Sequence, residues 1–407
     1  MGAITPLGNS YPQFKSALLD GKSGAGAITR FDTTHFKTKF ACEVKDFDPL
    51  QYLEKKDVRR YDLYAQFAIA AAEEAISDAG LIYPGLNKDR VGVVWCSGIG
   101  GINSLQDEIL AFGEGGKIPR FNPFLIPKMI VDLAAGHISI RHGFRGMNFC
   151  VVSACASSTN GLIDALNYIR WGKADAIVCG GSEAPVNEVG IGAFNALKAL
   201  SERNDSPETA SRPFDLNRDG FVMGEGGGCL ILESLDHALN RGAHIYAELC
   251  GGGMSADAYH ITAPHPEGLG AQLVMRNALE DANLKPEDID YINAHGTSTP
   301  LGDESEIKAV QAVFGEHAYQ LNISSTKSMT GHLLGAAGII EAIASVIAVK
   351  ENVIPPTINH FTDDPKFDPR LKLTFNHPEK RLVKAALCNN FGFGGHNATV
   401  IFRKFES

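Results

Sequence analysis

The chain has 407 residues, 44% hydrophobic and 21% charged, with a formal net charge of -10 and a pI near 5.7. At ~150 residues per domain this length asks for more than one ordinary core, and the composition excludes wholesale disorder. The negative charge argues against general binding to nucleic acid or anionic membrane, which both need a positive field.

Apolar stretches fall short of the ~18–20 residues of a membrane span; the longest candidate, Ile339 to Val349, carries Glu341 and Ser345. MGAITPLGNS at the start has neither the basic nor the apolar region of a secretion signal, so the cytoplasm is expected. The eight cysteines show no CxxC or Cys/His spacing, so neither a metal centre nor a disulfide framework is predicted.

In chain order, residues 62–79 spread apolar side chains over a helical face and stop at Gly80. Residues 91–98 read as a buried strand, 129–143 as a helix, 148–155 as a β-branched strand, 161–172 as a helix and 175–183 as a strand. Such alternation predicts parallel connections and a covered sheet. The second half repeats the grammar: strand at 246–253, helix at 269–284, strand into polar turn at 289–300, then strand, small polar loop and apolar helix across 321–352. The junctions at Cys155 and near His332 match, which predicts a duplicated α/β unit divided into 1–245 and 246–407. Glycine clusters at 97–101, 180–182, 224–228, 251–253 and 391–395 are expected at strand ends, as sharp turns or points of close approach. SGIGGI lacks the last glycine of a GxGxxG phosphate loop.

Cys155 falls between a strand-like run and a helix starting around Ser158, where unpaired N–H groups and the helix dipole favour thiolate. Its small neighbours Ser153, Ala154, Ala156 and Ser157 let another molecule reach the sulfur, whereas the other cysteines lie mostly in apolar runs and read as core. His295 and His332 both occur where a strand gives way to glycine and small polar residues. A duplicated α/β fold gathers its strand C-termini in one place, so these three residues are expected to converge. Glu341 lies inside an apolar helix, where an unpaired carboxylate is costly, and Lys327 is its expected partner.

With Cys155 in SACASS, His295 in NAHGTSTPLGD, Lys327 and His332 in SSTKSMTGHLLGAAG, and FGFGG near the end, the chain resembles the condensing enzymes of fatty acid synthesis. It is most similar to the β-ketoacyl-acyl carrier protein synthases II, over nearly its whole length, including SERNDSPETASRPFD and RDGFVMGEGGG. The resemblance implies an α/β fold of the thiolase-like layered αβαβα kind, made of two similar halves and usually a homodimer. It implies acyl carrier protein as partner, no metal, and no cofactor, the substrates being carried on the phosphopantetheine of that carrier.

Further implied is a decarboxylative Claisen condensation of malonyl-acyl carrier protein with an acyl group held on Cys155, giving 3-oxoacyl-acyl carrier protein. His295 and His332 would hydrogen-bond the developing oxyanion, and the N–H groups of Cys155 and Phe391 would form the oxyanion hole, with Phe391 also the gate. Lys327 and Glu341 match a supporting charged pair, Thr297 and Thr299 the hydroxyls that hold the pantetheine arm, and Ile99 and Phe194 the acyl pocket. Arg59, Arg60 and Lys198 fall in a basic docking region that offsets the overall negative charge toward an acidic carrier.

Two departures stand out. His396 follows FGFGG where the family commonly has threonine. Met1 stands directly at the glycine-alanine turn that the family's first strand normally precedes, which predicts either a missing sheet strand or numbering from an internal methionine. Rival readings are a polyketide-type condensing enzyme, a non-catalytic chain length factor, which Cys155 argues against, and a cysteine hydrolase, which leaves the second histidine without a task.

Overall fold

Two mixed sheets of one design frame the computed structural model, which describes residues 1–406. In the first sheet, β1 (Gly2–Ile4), β2 (Val91–Cys96), β3 (Asn148–Phe149), β4 (Ala176–Glu183) and β5 (Gly226–Glu233) lie in the order β3-β2-β4-β5-β1. In the second, β6 (Glu248–Ala256), β7 (Tyr291–Asn293), β8 (Asn322–Ser324), β9 (Lys372–Leu373), β10 (Ala385–Gly392) and β11 (His396–Arg403) lie in the order β9-β8-β7-β10-β11-β6. Apart from the short edge strand β9, each sheet runs third, second, fourth, fifth, first in chain order. Directions match as well: β3, β2 and β4 are parallel and β5 and β1 antiparallel, just as β8, β7 and β10 are parallel and β11 and β6 antiparallel. The expected duplication is therefore present in the topology.

The helices repeat too. Against the first sheet lie α1 (Leu63–Asp78), α2 (Leu133–His142) and α3 (Ser157–Arg170). After α4 (Glu188–Ala196), the second half supplies α5 (Leu269–Ala282), α6 (Pro300–Phe314) and α7 (Ala337–Glu351). α3 and α7 touch each other and strands of both sheets, so they form the central layer; α1 and α2 cover one outer face, α5 and α6 the other. This is the expected αβαβα layering. It explains why α7 is buried on every side from Ala337 to Val349, since a helix between two sheets has no face left for water. Among the described residues, no helix is long and apolar enough to cross a membrane.

Local chemistry sets the ends of α1. Asp62 accepts the Tyr64 N–H at 3.3 Å as its N-cap, and Gly80 takes φ +55° just beyond Ala79. The expected strand at 148–155 is shorter: only Asn148–Phe149 pairs, and the chain then turns irregularly, with Ala154 at φ +51°, before α3 begins. The helix expected over 129–143 starts only at Leu133, a separate short helix having ended at Met129. The turn expected at Gly2–Ile4 is instead a strand, paired antiparallel with Gly227–Cys229 at the sheet edge.

Three glycine clusters serve the close approach expected of them, but inside strands rather than at strand ends. Gly180 and Gly181, Gly226 to Gly228, and Gly251 to Gly253 lie within β4, β5 and β6, not in turns. A Cβ at Gly253 would stand 2.4 Å from the Val274 carbonyl oxygen of α5; one at Gly252 would stand 2.6 Å from Ile163 of α3. The absent side chains let helices seat directly on the sheets. Gly253→Ala is therefore expected to cost about 2–3 kcal/mol through overpacking against helix backbone. Gly26→Ala, which meets nothing within 4 Å, should stay within about 0.5 kcal/mol of the parent. Parallel denaturant unfolding of the two variants checks the contrast.

Candidate active site

Where β7 and β10 end, a cavity of about 340 Å³ opens, lined from both halves by Cys155, His295, His332, Thr297, Thr299 and the turn after β10. Each side chain is brought there by a local device. Ser157 donates from Oγ to the Ala154 carbonyl at 2.6 Å and accepts the Ser153 N–H at 2.9 Å, which fixes the turn presenting Cys155 at the start of α3. His295 follows β7, and its backbone N–H and that of Gly296 donate to the buried carboxylate of Glu306 on α6, at 2.9 and 2.8 Å. His332 is tied at both backbone groups, donating to Val222 O at 2.8 Å and accepting from Gly224 N–H at 2.9 Å.

The imidazole rings of His295 and His332 meet edge to face with centroids 5.3 Å apart. Phe391 lies 5.6 Å from His295, and Phe221 lies 5.3 Å from His332. Burial, with the Lys327 cation adding to it, holds both histidines well below the ordinary imidazole range. They are neutral at physiological pH. Among the described residues, the buried Nδ1 of each has no hydrogen-bond partner.

Lys327 forms the expected ion pair with Glu341, both fully buried. Glu341 also accepts from Asn390 Nδ2 at 2.7 Å, and Asn390 Oδ1 accepts from Thr159 Oγ1 of α3 at 2.5 Å. The pair stands behind the cavity wall and acts on the lining residues through its field.

Cys155 departs from expectation. Burial pushes its thiol up to about 12, more than the Lys327 cation and a backbone N–H pull it down. The resting group is a thiol rather than the thiolate that its position at a helix start suggested, because withdrawal from water outweighs the local positive potential. The expected partner of the Cys155 N–H in an oxyanion hole is Phe391; the backbone N–H that reaches the Cys155 sulfur is that of Phe393. Phe391 is paired with Asn397 in the β10–β11 ladder, whereas Phe393 sits in the turn beyond the closing Gly392–His396 pair, with positive-φ Gly394 and Gly395 after it.

Thr297 and Thr299 have hydroxyls 3.0 Å apart on the cavity wall, and Phe194 and Lys198 line it too. Ile99, like Phe194, packs against the apolar cluster that contains Cys155, but it is not among the residues that line the cavity. Arg59 and Arg60 lie outside the cavity; Arg60 holds its guanidinium 5.0 Å from the Phe124 ring, with Asp57 3.8 Å away. His396 is exposed, its ring against Gly394 on the turn that carries Phe393. Sequence reasoning gave Phe393 no backbone role and missed Glu306 and the lining residues Asp257, Thr262 and Asn397. For Phe393 the signal was its place between two glycines; the others carry no local motif. No cluster of His, Cys, Asp and Glu among the described residues is arranged to hold a metal ion.

A duplicated layered fold with a cysteine and two histidines on one cavity defines a thiolase-like condensing-enzyme class. Family models agree: residues 1–238 match the beta-ketoacyl synthase N-terminal domain and 246–361 the C-terminal domain. The chain belongs to the beta-ketoacyl synthase family. It is 48% identical to a 3-oxoacyl-(acyl-carrier-protein) synthase 2 of Synechocystis sp., covering 100% of this chain and 97% of that protein. It is 46% identical to the enzyme of the same name from Coxiella burnetii, over 99% of this chain and 97% of the other. Among solved structures, the ishigamide ketosynthase/chain length factor superposes with a TM-score of 0.93 at 34% identity, covering 100% of this chain and 98% of that one. A type II PKS acyl-carrier protein in complex with its ketosynthase gives a TM-score of 0.92, also at 34% identity, over 100% and 98% of the two chains.

The field of Lys327 can be tested by replacing the pair with neutral groups. In Lys327→Met alone, Glu341 loses its buried counter-charge, at an expected cost of about 3–5 kcal/mol. In Lys327→Met with Glu341→Gln the fold is retained. Removing a cation favours protonated imidazole and disfavours thiolate, so His295 and His332 should titrate higher than in the parent. Cys155 should titrate higher as well, since Lys327 acts on it more strongly than Glu341 does. NMR titration of the imidazoles and the pH dependence of Cys155 alkylation read both shifts.

Proposed function

We propose that this chain extends acyl groups by decarboxylative condensation of malonyl-acyl carrier protein, with Cys155 as nucleophile. The observation that carries the reading is one cavity holding a buried thiol, two neutral imidazoles and an apolar wall. In the first half-reaction the Cys155 sulfur attacks the acyl thioester, the carrier C–S bond breaks, and the thiol proton passes to the departing carrier sulfur. Because the resting thiol is protonated, that transfer accompanies attack, and the neutral imidazoles on the same wall are suited to carry the proton across. The Phe393 and Cys155 N–H groups stabilise the tetrahedral oxyanion.

In the second half-reaction the malonyl thioester loses carbon dioxide, and His295 and His332 donate hydrogen bonds to the enolate oxygen. Neutral imidazoles do this without giving up a proton prematurely. The enolate carbon attacks the acyl-cysteine carbonyl, the bond to Cys155 breaks, the expelled sulfur takes up one proton from solvent to restore the resting thiol, and a 3-oxoacyl thioester two carbons longer leaves on the carrier. The chemistry uses side chains and backbone only, with no metal or cofactor step. Lys327 and Glu341 are support for this site. Thr297 and Thr299 would hold the pantetheine arm, while Phe194 and Ile99 bound the acyl side.

Acyl carrier protein is the proposed partner. Lys198 at the cavity and the basic run containing Arg59 and Arg60 offer cations to an acidic surface. A homodimer is supported by β3, the outermost strand of its sheet, flanked by exposed Ile140 and Val152. The division into 1–245 and 246–407 falls between the end of β5 at Glu233 and the start of β6 at Glu248. The cytoplasm is the proposed compartment.

Cys155→Ala is expected to abolish both acyl transfer and condensation while the fold is kept. Incubation with labelled acyl-acyl carrier protein, followed by denaturing gel, checks it: covalent label retained on the variant removes the nucleophile assignment. With malonyl-acyl carrier protein added, the parent should yield 3-oxoacyl product, and release of free acid alone would move the reading to a hydrolase.

A further inference from the structure

The last residue of β4, Glu183, is fully buried, does not line the cavity, and plays no part in the chemistry above. Its carboxylate is nevertheless shared between two loops that come from different halves. Oε1 accepts from Ser97 Oγ at 2.5 Å and from the Ile99 N–H at 3.1 Å, while Oε2 accepts from the Gly335 N–H at 3.2 Å. Ser97 in turn accepts the Gly100 N–H at 3.0 Å, so the carboxylate and one hydroxyl together hold the whole loop after β2.

The loops themselves touch at glycines. A Cβ on Gly335 would stand 2.4 Å from Gly98 N, and one on Gly98 would stand 2.9 Å from Glu183 Oε2. No side chain fits between them, and the one carboxylate answers N–H donors from both. A buried carboxylate with several backbone donors is a strong, short-range tether. Burial pushes Glu183 up, and these donors pull it back down.

What the tether holds matters for the reaction. The loop after β2 carries Ile99, which like Phe194 packs against the apolar cluster that contains Cys155, on the acyl side. Gly335 lies in the turn that begins at His332 and includes Leu334, which lines the cavity at φ +48°. We infer that Glu183 is a positioning residue that fixes the acyl-side loop bearing Ile99 against the turn bearing His332, so that acyl-chain selection and imidazole placement are set together. The inference rests on the condensing reaction proposed above. It adds a residue that acts through others and touches no substrate.

Two substitutions separate the two loops. Glu183→Gln keeps the volume, but whichever way the amide turns, its NH2 faces an N–H donor on one loop. Ser97→Ala removes the hydroxyl's bonds to Glu183 and Gly100 and so loosens only the loop after β2, leaving the Ile99 and Gly335 bonds to the carboxylate intact. Both are assayed with acyl carrier proteins loaded with short and long acyl chains, measuring kcat and KM for 3-oxoacyl product and, separately, malonyl decarboxylation. Glu183→Gln should lower kcat for condensation and decarboxylation about tenfold or more, as displacement of a catalytic group does, and shift the long-to-short ratio of kcat/KM by about threefold or more. Ser97→Ala should shift that ratio while decarboxylation stays within about twofold.

A merely structural role would lower the folded fraction and scale every chain length alike. An unchanged long-to-short ratio in both variants therefore overturns the inference. If Glu183→Gln does not fold, Ser97→Ala alone decides, because an unchanged ratio there overturns it and a shifted ratio with intact decarboxylation upholds it. Parent enzyme that forms no 3-oxoacyl product overturns the functional reading itself, an outcome distinct from parent that condenses while the variants show no shift.

Discussion

Everything at the cavity depends on two helices being held between two sheets at a distance too small for ordinary side chains. α3 and α7 cross where Gly338 meets Thr159: a Cβ at Gly338 would stand 2.1 Å from Thr159 Oγ1. Nearby, Ser158 Oγ of α3 accepts the Ile339 N–H of α7 at 2.9 Å, so the two helix starts are bonded to each other. Cys155 precedes one helix and His332 the other, in equivalent places of the repeat. Bringing the helix N-termini into contact therefore brings the two residues to one cavity, and the glycine-rich interiors of β5 and β6 are the counterpart of the same close packing on the sheet side.

That packing decides the electrostatics. Cys155, His295 and His332 are buried between the two sheets, and the cost of charge there sets their titration. The histidines are pushed toward neutrality and the cysteine toward the thiol, with the buried cation of Lys327 opposing the cost only for the sulfur. Lys327 is itself paired with Glu341, whose second oxygen accepts from Asn390. The result is a pocket whose imidazoles are neutral and whose cysteine rests as a thiol. Such burial also strengthens each hydrogen bond to the transition state.

The carboxylates around the cavity share a manner of working. Glu306 accepts the backbone N–H groups of His295 and Gly296, and Glu183 accepts from the loops of Ile99 and Gly335. Neither reaches the cavity. Each replaces secondary structure at a place where a strand has ended and the chain would otherwise present unanswered donors. Precision at the reacting atoms thus comes from buried acids behind the wall, more than from the strands that point toward it.

Sequence alone determined the duplicated α/β design, the junction residues Cys155, His295 and His332, and the pairing of Lys327 with Glu341, because local periodicity, small-residue junctions and the cost of a lone buried carboxylate are legible along the chain. Tertiary structure decided the rest. Whether Phe391 or Phe393 offers its N–H to the sulfur is a matter of hairpin register, which pairs Phe391 with Asn397 and leaves Phe393 in the turn. The glycines expected at strand ends lie inside strands, because the helices that approach them closely and exclude their side chains are distant in sequence. The thiol's high pKa likewise depends on burial by both halves, a quantity that no window of residues around Cys155 contains, and so the helix-start argument, correct about position, could not give the sign of the outcome.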